Sequence, residues 1–81
     1  MKELKLQEGF YAKYHENKLF ETLLIDITDF YIGGGNLSSL KIFSEMVSRL
    51  NKEGWKNNGI NYSIFDGVED VELELIKPKK Q

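Results

Sequence analysis

Gly33-Gly34-Gly35-Asn36, followed by Ser38, Ser39 and Lys41, is the stretch of this 81-residue chain whose residue types and spacing come nearest to a ligand site. Backbone N–H groups freed by the glycines, the positive end of a following helix and a nearby ammonium would together suit a phosphate or another small anion. Gly34, Gly35, Ser38 and Lys41 are the residues that would hold it. The chain has neither a Gly-Lys-Ser/Thr phosphate loop nor a GxGxxG pattern. Three glycines ahead of a capped helix also serve simply to reverse the chain, and that is the preferred reading.

Acid–base chemistry has little to work with. His15 is the only histidine and sits in the polar run His15-Glu16-Asn17-Lys18. A general base or metal ligand needs an orienting partner and companions, and the adjacent Glu16 would point elsewhere. Glu21, Asp26 and Asp29 could be imagined as paired carboxylates, but Asp26 is expected on an open sheet face where little would raise its pKa. The absence of cysteine excludes disulfides and thiolate metal sites. An enzyme is not expected, nor a cofactor or a metal.

Charge narrows the partners. Eleven basic and thirteen acidic residues give a net charge of −2. A nucleic-acid binder needs a clustered basic patch, whereas the basic residues here are scattered apart from Lys77, Lys79 and Lys80. Residues 77–81 read as a solvated basic tail, and nucleic acid is not an expected partner. Asp66, Glu69, Asp70, Glu72 and Glu74 form an acidic series without an intervening basic residue. It would suit a basic protein surface, or it is the solvated face of a strand. No apolar run reaches membrane-spanning length and no leader-like segment opens the chain. The expected location is the cytoplasm, away from membranes.

The elements that must position these residues follow from periodicity. Leu4, Leu6, Phe10, Ala12 and Tyr14 alternate at period two and predict one strand, with Gly9 as a bulge. After a turn at residues 15–18, a second strand is expected to carry Leu23, Ile25 and Ile27 on one face. Leu40, Phe43, Met46 or Val47, and Leu50 recur at three- and four-residue steps and predict an amphipathic helix. Gly54 closes it in a left-handed conformation, and Trp55 folds back on its last turn. Ile60, Tyr62 and Ile64 form a third strand, Asp66-Gly67 a hairpin turn, and Val71, Leu73 and Leu75 a fourth strand ended by Pro78.

The expected fold is therefore a single α+β domain over residues 1–81, strand-strand-helix-strand-strand, with one helix on one face of a four-stranded antiparallel or mixed sheet. Two hairpins flanking a helix resemble the β-grasp arrangement, which implies parallel first and last strands side by side and cross-strand pairs of Lys5 and Lys13 with Glu72 and Glu74. The segment Arg49 to Trp55 and the closing Ile76-Lys77-Pro78 also resemble a family of short bacterial domains of unknown function, departing from it at Lys56-Asn57-Asn58.

One helix covers one side of such a sheet, where Leu23, Ile25, Ile27, Ile60, Tyr62, Ile64, Val71, Leu73 and Leu75 are expected to lie. On the other side the register places Phe20, Leu24 and Phe65, with Glu72 and Glu74 beside them, as an apolar patch rimmed by charge. Such a patch marks an interface. The expected function is a small non-enzymatic protein-interaction module, whose partner is another protein or a second copy of the chain. In style it resembles the small inhibitors that phages and other mobile elements direct against host nucleases or defence complexes. The alternatives are an anion or small-ligand binder built on Gly33–Gly35 and a structural homo-oligomer.

Overall fold

The alternation from Leu4 to Tyr14 folds as two strands, not one. The computed structural model describes residues 2–33 and 37–79. In it β1 (Lys2–Gln7) turns at Glu8-Gly9 into β2 (Phe10–Glu16), and Gly9 adopts φ +84°, a conformation open to glycine and strained for other residues. Leu4 pairs with Ala12, so the sum of paired positions is even and even-numbered residues share a face on both strands. A continuous strand and such a hairpin thus have the same period-two signature, which is why sequence gave four strands where the sheet has five.

β2 turns through Asn17 into β3 (Phe20–Asp26). The Asn17 side-chain oxygen accepts from the backbone N–H groups of Leu19 and Phe20, both at 2.8 Å, a side-chain mimic of a turn. The chain then leaves the sheet in a short helix α1 (Thr28–Gly33). Thr28 fastens this exit. Its hydroxyl donates to the Asp26 carboxylate at 2.7 Å and accepts from the Val71 N–H at 3.1 Å. The longer helix α2 (Leu37–Lys52) leads to the final hairpin, β4 (Lys56–Phe65) and β5 (Val68–Pro78).

The sheet order is β1-β2-β3-β5-β4 and all neighbours are antiparallel. The β-grasp-like order is corrected accordingly: the first strand is an edge, and β5 lies between β3 and β4. The order follows from α1 and α2 returning the chain beyond β3, where β5 docks antiparallel with Leu23 opposite Leu75 and Ile25 opposite Leu73. Lys13 does pair with Glu72, at 3.5 Å across β3, whereas Lys5 pairs with Glu8 at 2.7 Å.

The core lies between the helices and one sheet face. Phe10, Ala12, Leu23, Ile25, Ile27, Met46, Trp55, Val71 and Leu75 are buried. Phe30 of α1 and Phe43 of α2 close it at one end, their rings 5.5 and 5.7 Å from that of Phe10. Helix α2 ends with Gly54 at φ +103°, Gly54 N–H bonded to Asn51 O and Trp55 N–H to Leu50 O, both at 3.1 Å. That is a Schellman motif. No helix among the described residues is long and apolar enough to cross a membrane.

Candidate interaction surface: the β4 edge

The helix-free face is built by the residues that alternate away from the core, and their register keeps the expected patch apart. Phe20 lies opposite Pro78 and Phe65 opposite Val68, at the two ends of β5. Ten residues of strand separate those positions, about 33 Å at ~3.3 Å per residue. Leu24 lies between them, half-buried. Tyr11 lines the same open-face hollow as Leu24, and charged groups otherwise interrupt the face around it. Glu72 meets Lys13, and the Glu74 carboxylate accepts from the side-chain amides of Asn58 and Asn61. Phe20, Leu24 and Phe65 are thus not brought together, and Glu72 and Glu74 lie mid-sheet, occupied by their neighbours.

Alternation also divides the acidic series. Asp70, Glu72 and Glu74 belong to the open face, while Glu69 belongs to the helix side, where it accepts from the Tyr62 hydroxyl at 2.7 Å. At one end of the sheet Asp26, Asp29, Asp66, Glu69 and Asp70 border one shallow hollow together with Thr28 and Phe65. His15 stands exposed opposite Thr22. Of the residues weighed for an anion, Gly34, Gly35 and Asn36 lie outside the described residues, Gly33 ends α1, and Ser38 and Lys41 are exposed on the first turns of α2.

Of the expected solvated tail, Lys77, Pro78 and Lys79 are held against the domain, and residues 80 and 81 lie outside the described residues. Lys77 belongs to β5 and its ammonium sits 5.8 Å from the centre of the Trp55 ring. Lys79 N–H bonds Leu19 O, and its ammonium lies 2.9 Å from Glu16. That ion pair holds the Glu16 carboxyl below its usual range. Tyr14 donates to Glu21 at 2.8 Å and also to Glu16, and the bond to Glu21, with burial and the two negative charges, pushes the phenol up to about 12. Its folded value stands above the usual 10.0 of a tyrosine, so this stabilisation is complete below about pH 10 and lost as pH rises through 12. In an absorbance titration of the phenolates Tyr14 is expected to ionise last, and Tyr14→Phe to remove the highest-pH step. A Tyr14→Phe curve that keeps this step contradicts the assignment.

The surface that sequence reasoning missed is β4. Ile60, Tyr62 and Ile64 share the helix side with Leu73 and Val71, and the expectation was that the helix covers them. They are 55%, 49% and 60% exposed. The reason is width. Five strands at ~4.8 Å put the outer pair about 19 Å apart, and a helix about 10 Å across shields only the middle. Met46 of α2 joins a core drawn from β2, β3 and β5, and α2 meets β4 at the strand's start, where the Asn51 amide donates to Asn57 Oδ1 at 3.2 Å. Further along the strand α1 reaches it, Tyr31 packing 5.9 Å from Tyr62, and Tyr31 and Ile32 are themselves exposed.

The two sheet edges differ in kind. β1 carries Lys2, Glu3 and Lys5 within six residues, the charges with which natural edges discourage pairing. β4 runs ten residues, all exposed, with Lys56 its only charge; a bulge at Asn58-Gly59 leaves Ile60–Phe65 as its regular stretch. Among the described residues its one strand neighbour is β5, so its other side presents backbone that no described strand pairs. The absence of charge from Asn57 to Phe65 was legible in sequence; that this strand would be an edge was not. Compared with known proteins, the chain matches no family model, no curated protein and no solved structure.

Proposed function

We propose that this domain is a non-enzymatic protein-interaction module whose contact element is the β4 edge. The observation that carries the reading is an edge strand, uncharged beyond Lys56, whose apolar row Ile60, Tyr62, Ile64 stands about half exposed or more with Tyr31 against Tyr62. Unpaired N–H and C=O groups supply backbone bonds to an added strand, and alternate side chains supply selectivity. Exposed tyrosine and isoleucine next to a polar rim suit the centre of such a contact. The carboxylates at 26, 29, 66, 69 and 70 favour partners with basic residues near that end of the strand, which accommodates the narrower reading as an inhibitor of a host nuclease.

Ile64→Lys is expected to abolish association, self or foreign, while circular dichroism and the urea midpoint stay near the parent's, because the side chain is exposed. Glu72→Lys with Glu74→Lys should leave association intact. Light scattering of the pure protein and affinity capture from its native source, run on both variants, read the difference. The opposite pattern, with binding lost only in the Glu72/Glu74 variant, moves the site to the open face around Leu24.

A further inference from the structure

We infer that the occupant of the β4 edge is a second copy of this chain, the two β4 strands pairing antiparallel about a two-fold axis at Tyr62 to make one continuous sheet. The inference rests on the proposed function and names its partner.

The hairpin fixes which backbone groups are free. Asp66 and Gly67, at φ +53° and +78°, form a two-residue turn with positive φ at both central positions, flanked by Phe65 opposite Val68. In such a hairpin the flanking pair exchanges both its hydrogen bonds, and bonded pairs alternate with non-bonded ones. Phe65, Ser63 and Asn61 therefore bond to β5. Ile60, Tyr62 and Ile64 direct their N–H and C=O groups outward, and the same three residues carry the uncovered apolar row.

The sequence of the free edge is self-complementary. Ile60-Asn61-Tyr62-Ser63-Ile64 has aliphatic residues at both ends, small polar residues inside them and an aromatic at the centre. Antiparallel pairing about Tyr62 sets Tyr62 against Tyr62, Ile60 against Ile64 and Asn61 against Ser63. Every outward N–H and C=O of the three residues then finds its mate, apolar meets apolar on the helix side, and no charge faces a like charge. A two-fold contact requires such a match of a surface to itself. Charge agrees with it. β4 opens at Lys56 and closes at the acidic turn that includes Asp66, so pairing brings the basic start of each strand toward the acidic end of the other.

The chain contains no cysteine, so a single introduced one reports position cleanly. In light scattering over ~1 µM to ~1 mM protein, the full chain is expected to move toward twice the 9.4 kDa chain mass. Ile60→Glu alone and Ile64→Lys alone should each remain monomeric. Mixing those two variants should restore a dimer, since residue 60 of one then faces residue 64 of the other with opposite charges. Tyr62→Cys should cross-link to a dimer on mild oxidation, because residues at the axis lie about 5.5 Å apart at Cα, and Phe20→Cys should not. The cross-link holds the test open if a charged variant fails to fold. A chain that stays monomeric throughout, or a dimer indifferent to Ile64→Lys and not cross-linked by Tyr62→Cys, overturns the inference. In the monomeric case, foreign capture lost in Ile64→Lys leaves the proposed function standing with a different partner. Foreign capture unchanged by it sinks both.

Discussion

Shortening Ile25 to alanine is expected to bring the domain close to unfolding. Ile25 is fully buried in β3, the middle strand, between Ala12 of β2 and Leu73 of β5. Removing a buried isoleucine to alanine costs about 2–5 kcal/mol, more where the site cannot collapse onto the hole. The neighbours here cannot close it easily, since Ala12 is already small and strand register holds Leu73 in place. Against a total of about 5–10 kcal/mol for a domain of this size, urea denaturation should show a midpoint near half the parent's or lower. Ile64→Ala is the internal control: the same residue type, 60% exposed on the β4 edge, should move the midpoint little in the monomer. Equal losses at the two sites would contradict the division of the sheet into a covered centre and a bare edge.

Trp55→Ala is the second large effect, at about 3–5 kcal/mol. The indole is 9% exposed, packs into the core and carries the Lys77 ammonium 5.8 Å from its ring centre. Its backbone N–H also closes the last turn of α2 on Leu50, so the same residue joins helix end to core. Gly54→Ala separates the two roles. A methyl group there would meet Lys77 Cε at 3.5 Å, an ordinary contact, while φ stays at +103°. The cost is then backbone strain alone, about 1–2 kcal/mol. Urea midpoints should fall much further for Trp55→Ala than for Gly54→Ala, and amide exchange should quicken in the last turn of α2 in both. A Gly54→Ala loss as large as the tryptophan's would show that the helix end, not the buried indole, dominates.

Composition and spacing by themselves determined much of this domain. The stripe through Phe43, Met46 and Leu50 specified α2, because only a 3.6-residue period gathers those positions on one side. Gly54 and Asp66-Gly67 specified their turns, because few other residues accept positive φ there. Leu23, Ile25, Val71 and Leu75 were readable as core from strict alternation. Strand count and order were not readable. The Leu4–Tyr14 alternation is identical for one strand and for a hairpin of even register, and strand neighbours are chosen by which faces dock rather than by any local run of residues. The candidate site was hidden for the same reason. Sequence put Ile60, Tyr62 and Ile64 on the helix side, and they are there. Whether that side is covered at β4 depends on the lateral reach of one helix over five strands, a distance that no periodicity in the chain records.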